Sequence, residues 1–269
     1  MLTRVLALTL LVRALGAQAT PRPADPVPVH ESFSVYSHTL GEPRPVNVYT
    51  PPTYRSSPTV PLPVLYMPDG GLDEDFPHMV HTADSLIALG AIRPVIVVGI
   101  PNTQRRRDLT GPTRVAADST IAPRVGGSAA FRRFLADELI PAVESRYRTT
   151  DERAIIGESL AGLFVLETLL LEPTLFDRYI AFDASVWWNG GALLESAASH
   201  LKAFDAAPRS VHLFSSQVGE IADGIARLAA LLRASAPTGL SWTHEPRPDL
   251  THATIFRSLK PVALVSAFR

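Results

Sequence analysis

The chain of 269 residues predicts an α/β fold, a mostly parallel central sheet with helices on both faces. Three observations lead to this class. Short apolar runs of strand length alternate with longer segments of helical periodicity. Some runs, such as 94–100, are apolar at consecutive positions, as the inner strands of a parallel sheet are. The 24 prolines cluster between these runs, where they mark loops.

Each element follows from its local pattern. The predicted strands are 46–49, 64–67, 94–100, 154–157, 179–182, 211–214 and 240–244. The predicted helices are 77–89, 160–171, 193–204 and 221–232, with a further helical segment over 131–143 that Pro141 interrupts. Residues 102–124 are polar and aperiodic, which predicts a long surface loop. Sites in such sheets form at the carboxyl ends of the strands.

Composition excludes several classes of protein. Apolar residues make up 46% of the chain and charged residues 19%, which is typical of a folded domain. The net charge of −1 lacks the basic signature of a nucleic-acid binder. The absence of cysteine excludes disulfides, thiolate metal sites and cysteine nucleophiles. A nucleophile, if present, must be a hydroxyl, an amine or a carboxylate.

Residues 1–19 are expected to be a signal peptide. Arg4 precedes an apolar run over 5–16, and Ala17-Gln18-Ala19 forms a small-x-small cleavage site. This order predicts export, to the periplasm or out of the cell. A disordered extension and an uncleaved anchor are the alternatives. Residues 20–31 are proline-rich and are expected to form a tether, and 32–269 are expected to form one catalytic domain.

The segment GESLAG at 157–162 carries the strongest chemical signal. It joins a predicted strand to a predicted apolar helix, where a tight turn presents a serine hydroxyl above the sheet. Ser159 is therefore the candidate nucleophile, and an ordinary helix N-cap is the alternative. Ala161 stands where the G-x-S-x-G pattern has its last glycine, and its small side chain still permits the turn.

A serine nucleophile needs a base, and in this arrangement the chain order is serine, acid, histidine. His252 follows the last predicted strand and is the candidate base, with His244 as the second choice. The acid is expected after the strand at 211–214. Glu220 is favoured there, and Asp223 is the alternative. Either carboxylate could instead stabilise the first turn of the following helix.

Other positions at the same edge of the sheet complete the predicted site. The backbone amides of Leu160 and Gly71 are the candidate oxyanion donors. Trp187 and Trp188 either line a substrate pocket or pack into the core. The arginine run 105–107 either binds an anionic group or is a solvated charge run.

No metal, nucleotide or other cofactor is predicted. His78 and His81 are spaced to share a helix face, but the sequence suggests no third ligand. The glycine pairs at 70–71 and 126–127 match no phosphate-binding pattern. The expected partner is a small-molecule ester, with no nucleic acid and no stable membrane insertion after signal cleavage. The sequence leaves the oligomeric state open.

With these motifs the chain resembles the putative-esterase branch of the α/β hydrolases, which includes enterochelin and other siderophore esterases, S-formylglutathione hydrolase-like proteins and feruloyl esterases. The motifs are VNVYTP at 46–51, VLYMPDG at 64–70, RDLT at 107–110, GG at 126–127, ELIP at 138–141, RYRT at 146–149, GESLAGL at 157–163, PTLFD at 173–177 and SVWWN at 185–189. They resemble the siderophore-esterase-like subgroup most.

This resemblance implies an α/β-hydrolase fold and a serine esterase that cleaves carboxylic esters through an acyl-enzyme, with Ser159 and His252 as the reacting pair. The chain departs from the family pattern at Glu158, where the family more often has histidine, and at Ala161. An acyltransferase with the same residues is the enzymatic alternative. A binding protein on a decayed hydrolase fold is the other.

Overall fold

The computed structural model describes residues 25–120, 122, 124–205 and 207–269. The predicted signal peptide and the first residues of the tether lie outside the described residues. Within these ranges, no helix has the length and apolar character needed to cross a membrane.

One sheet forms the centre of the molecule, with strand order β1-β2-β4-β3-β5-β6-β7-β8. The strands are β1 (Glu31–Ser37), β2 (Glu42–Tyr49), β3 (Leu62–Pro68), β4 (Ile96–Ile100), β5 (Thr149–Glu158), β6 (Arg178–Phe182), β7 (Arg209–Ser215) and β8 (Leu240–Pro246). The strands from β3 to β8 pair in parallel, and β1 and β2 add an antiparallel edge. The predicted α/β class with a mostly parallel sheet is confirmed.

Helices cover both faces of this sheet. They are α1 (Pro52–Ser56), α2 (Phe76–Ala88), α3 (Arg105–Leu109), α4 (Ala116–Thr120), α5 (Ser128–Phe134), a π-helical turn (Leu135–Leu139), α6 (Ile140–Arg146), α7 (Leu160–Leu171), α8 (Trp188–Lys202), α9 (Gly219–Ser235) and α10 (His252–Phe268). The segment expected as a loop over 102–124 thus contains two short helices. Pro141 lies in the first turn of α6, where its missing N–H costs no hydrogen bond.

Two hydrophobic cores lie on opposite faces of the sheet. Helices α2 and α10 cover one face, and α5, α7, α8 and α9 cover the other. The inner strands β3 and β4 are buried along their whole length, which explains their continuous apolar sequence. Every residue of α7 except Leu171 is buried. The carboxyl ends of β3, β5, β6 and β7 therefore form one rigid edge on which a site can be built.

The end of the proline-rich segment lies on the face formed by α2 and α10. Asp25 pairs with Arg257 at 2.5 Å, and the carbonyl of Pro26 accepts a hydrogen bond from His81 at 2.8 Å. β1 begins at Glu31, next to the predicted domain boundary at 32.

Candidate active site

Ser159 lies on a sharp turn between β5 and α7. Its backbone has φ 60° and ψ −118°, a conformation that non-glycine residues rarely adopt. The turn is tight because neighbouring backbone crowds it. A Cβ at Gly157 would lie 2.6 Å from the carbonyl carbon of Ala161, and one at Gly162 would lie 2.9 Å from the carbonyl oxygen of Phe182. Glycine is therefore required at both positions, whereas Ala161 is accommodated.

Backbone hydrogen bonds join this turn to the end of β6. The Ser159 amide donates to the Phe182 carbonyl at 2.9 Å, and the Ser185 amide donates to the Ser159 carbonyl at 3.0 Å. The Ser159 hydroxyl lies 3.3 Å from the Ser185 hydroxyl. Asp183, between these contacts, is thereby held beside the nucleophile candidate.

Asp183 contacts His252. Its Oδ2 lies 2.9 Å from Nδ1 of the imidazole, and the carboxyl group is fully buried. The Ser216 amide and hydroxyl each donate to this carboxylate at 2.6 Å. Burial raises the pKa of Asp183, but the hydrogen bonds from His252 and Ser216 outweigh it and leave that pKa below its usual range. Asp183 is therefore a stable anion at neutral pH.

The contact with Asp183 determines the chemistry available to His252. The hydrogen bond raises the pKa of the imidazole, burial lowers it, and the charge of Glu158 raises it again, with a net upward shift. Since Nδ1 faces the carboxylate, Nε2 is the nitrogen left to exchange a proton with a hydroxyl. Catalytic hydrogen bonds of this kind often form only when substrate is bound.

Packing beneath α10 holds His252 in place. Thr251 and Thr254 form a reciprocal cap at the start of the helix, so His252 occupies its first position. One turn later Phe256 packs edge-on against Phe182 at 5.1 Å, and Phe182 stacks on Phe214 at 4.4 Å. Because Phe182 immediately precedes Asp183, the same packing positions both Asp183 and His252.

The structure corrects the predicted acid. Glu220 lies exposed in the first turn of α9, where it lines a surface cavity with Trp187 and Asp223. The carboxylate at His252 is Asp183, on the neighbouring strand end. The sequence signal that could have identified Asp183 is its position directly after the predicted strand 179–182. This position keeps the chain order serine, acid, histidine.

The two predicted oxyanion donors differ in whether the backbone amide already donates a hydrogen bond. Leu160 is the first residue of α7, so its amide has no acceptor within the helix. The Gly71 amide instead donates to the carboxylate of Glu74 at 2.7 Å. That carboxylate also accepts from the side-chain amide of Asn102 at 2.6 Å. The second donor is therefore engaged in this structure.

The structure favours core packing for Trp188, which was the alternative to a role in the substrate pocket. It is buried in the core, and its indole N–H donates to the Gly111 carbonyl at 2.8 Å. Trp187 is only partly buried and lies on the surface cavity beside Glu220. The alternative base, His244, lies on β8 and contacts the Ser215 hydroxyl at 2.9 Å.

Two arginines of the run 105–107 form ion pairs within the protein. Arg105 binds Asp69 through two contacts of 2.7 Å. Arg107 binds Glu42 at 2.6 Å and Asp108 at 2.6 Å. Each guanidinium thus already holds a carboxylate.

Among the described residues, no group of three or more His, Asp or Glu side chains could hold a metal ion. His78 and His81 contact different partners. The His78 imidazole pairs with Asp75 at 2.7 Å, whereas His81 contacts the Pro26 carbonyl.

Comparison with known proteins identifies the family of this chain. The Esterase family model, described as "Putative esterase", matches residues 37–220. The siderophore triacetylfusarinine C esterase of Aspergillus fumigatus is 31% identical over 192 residues, which cover 66% of this chain and 63% of that protein. The ferri-bacillibactin esterase BesA of Bacillus subtilis is 36% identical over 115 residues, which cover 38% of this chain and 40% of that protein. The chain thus spans less than two thirds of the length of these curated relatives.

A solved structure extends the likeness over most of the chain. The IroE-like serine hydrolase from Shewanella oneidensis superposes with a TM-score of 0.80 at 25% identity. The match covers 89% of this chain and 79% of that one. The predicted α/β-hydrolase fold is confirmed by this match.

Proposed function

This chain belongs to the esterase family, and we propose that it is a serine hydrolase that cleaves carboxylic esters through an acyl-enzyme. The observation that supports the proposal is that Ser159, on its strained turn, and the His252–Asp183 pair lie at the same edge of the sheet. Two relatives are named as esterases that act on siderophores, so siderophore esters are the proposed substrate class.

The proposed reaction begins with attack by Ser159 Oγ on the ester carbonyl carbon. Nε2 of His252 accepts the serine proton as the new C–O bond forms. Asp183 remains ionised and stabilises the imidazolium through Nδ1. The imidazolium then donates the proton to the departing alkoxide, which leaves an ester of Ser159. Water, deprotonated by His252, cleaves that ester, and the proton returns to Ser159.

The tetrahedral intermediate carries a negative oxygen that needs donors. The Leu160 amide supplies one, assisted by the N-terminal end of the α7 dipole. Gly71 can supply a second once its N–H exchanges the Glu74 carboxylate for the oxyanion. We place Trp187 at the wall of the substrate pocket and include export in the proposal, as the residues at 1–19 predict.

Hydrolysis of p-nitrophenyl acetate and butyrate tests this function. In Ser159→Ala and His252→Ala the kcat should fall by about 10⁴-fold or more, since the residues of such a unit lose activity steeply when one is removed. A fluorophosphonate probe should label the wild type and not Ser159→Ala.

The matched control is His244→Ala, which removes a histidine that contacts Ser215. Its kcat should stay within about twofold of wild type, because this partly buried imidazole contacts Ser215 and not Asp183. Full activity in His252→Ala, or a folded wild type with neither turnover nor probe labelling, would contradict the proposal.

A further inference from the structure

Carboxyl groups from the ends of three strands lie near Glu158, the residue before Ser159. Glu158 directly precedes the serine and interacts electrostatically with His252, Asp183, Asp69 and Asp75. The last two lie in the segment after β3, where the Asp75 amide donates to the Asp69 carbonyl at 3.0 Å. This end of the sheet is therefore rich in carboxyl groups, although the net charge of the chain is only −1.

Glu74 adds a further carboxylate to this group. The side-chain amide of Asn102 bridges it to Asp69, with contacts of 2.6 Å and 2.5 Å. Burial is the main cause that raises the pKa of Glu74, and the charge of Asp69 adds to it.

Arg105 and His252 are each already paired with a carboxylate. The Arg105 guanidinium holds Asp69 through two hydrogen bonds, and His252 holds Asp183. His78 pairs with Asp75, but burial lowers the pKa of this imidazole and favours its neutral form. A substrate carboxylate would have to displace an internal ion pair to bind Arg105 or His252.

Two carboxyl groups lack such compensation. Glu74 is held by neutral donors, the amide of Gly71 and the side chain of Asn102. For Glu158, Oε1 is buried and accepts no hydrogen bond among the described residues. Burial raises the pKa of Glu158 to about 8, so its charge appears above neutral pH.

We infer that this site selects esters that are neutral or cationic near the scissile carbonyl and rejects those that carry a carboxylate there. This inference rests on the proposed function and adds that the site discriminates between substrates by their charge. Glu158 and Glu74 are its specificity-determining residues. They act by repulsion and contribute no bond to the reaction.

Three p-nitrophenyl esters that differ in the charge at the far end of the acyl chain test the inference. They are p-nitrophenyl methyl adipate, which is neutral, mono-p-nitrophenyl adipate, which is anionic, and the p-nitrophenyl ester of ω-trimethylammonio-hexanoate, which is cationic. At low salt and pH 9, where Glu158 is ionised, kcat/KM for the neutral and cationic esters should exceed that for the anionic ester by about tenfold or more, since Glu158 and Glu74 are then both negatively charged. High salt should narrow the difference.

Variants locate the effect. At pH 9, Glu158→Gln and Glu74→Gln should each reduce the neutral-to-anionic ratio by about threefold, because each then removes one negative charge. For Glu158→Gln the reduction should be larger above the pKa of that residue than below it. Asp151→Asn is the matched control, because Asp151 is exposed at the opposite end of β5, and the ratio should not change.

The outcomes separate the two proposals. An anionic ester cleaved as fast as the neutral one by the wild type overturns the inference, and so does a ratio that neither glutamine variant alters. Both results leave the esterase function standing, since Ser159-dependent hydrolysis of the neutral ester tests that alone. Absence of hydrolysis of all three esters removes both proposals.

Discussion

The loops that follow β6 and β7 start at the same edge of the sheet, on adjacent parallel strands, yet they contribute differently to the site. The loop after β6 places Asp183 against His252, fully buried. The loop after β7 leads into α9 with Glu220 exposed in the first turn. Its contribution is Ser216, whose amide and hydroxyl hold Asp183.

The difference shows that the order of strands in the sheet determines which carboxylate reaches His252. β6 pairs directly with β5, whose end carries the nucleophile candidate, whereas β7 lies one strand farther away. Neighbouring strands are separated by about 4.8 Å, roughly the length of a short acidic side chain. A carboxylate on the nearer strand end is thus the better placed of two chemically similar groups.

The largest effect should come from Asp183→Asn. The amide cannot stabilise an imidazolium and favours the wrong tautomer of His252, so kcat/KM for a neutral p-nitrophenyl ester should fall by about 10³- to 10⁴-fold. Glu220→Gln is the matched control and should remain within about twofold of wild type. If the two effects were reversed, the acid would belong to the loop after β7, and the comparison would fail.

Ser216→Ala should have a smaller effect. It removes the hydroxyl that donates to Asp183 at 2.6 Å and keeps the backbone donor. Loss of one hydrogen bond to a buried charge corresponds to about a tenfold decrease in kcat. Ser215→Ala, at the adjacent position, should leave kcat near wild type because that hydroxyl contacts His244. Equal losses in both variants would indicate a general disturbance of β7 instead of a role for Ser216 in positioning Asp183.

The smallest effect concerns pH. Activity requires neutral His252, so kcat/KM should rise with pH through the pKa of the imidazole, which Asp183 and then Glu158 hold above its usual value. Because the pKa of Glu158 is itself raised to about 8, most of its charge is absent where His252 titrates, so Glu158→Gln should move the acidic limb to lower pH by much less than about one unit. Asp151→Asn should not move it. A limb that moved to higher pH would show that Glu158 does not act on His252 through its charge.

Local pattern was sufficient for much of the architecture. The apolar strands and the helical periodicity predicted the sheet and most of its elements. The small residues around Ser159 predicted the tight turn between β5 and α7. These features depend on contacts between residues close in sequence, or on burial that alternates regularly along one element. Strand β1, the antiparallel pairing of β2 and the short helices within 102–124 lack such a signal and were not predicted.

What the sequence determined by itself was therefore the fold class, the turn that presents Ser159, and the position of His252 after the last strand. Only the tertiary structure decided that Asp183 contacts His252, that Glu74 engages the Gly71 amide, and that Trp188 packs into the core. The partners in these contacts lie on different strands and helices and are separated along the chain. In some cases another residue nearby was an equally plausible partner. Their meeting depends on strand order and side-chain direction, which arise from packing the whole sheet and are not encoded in any single segment.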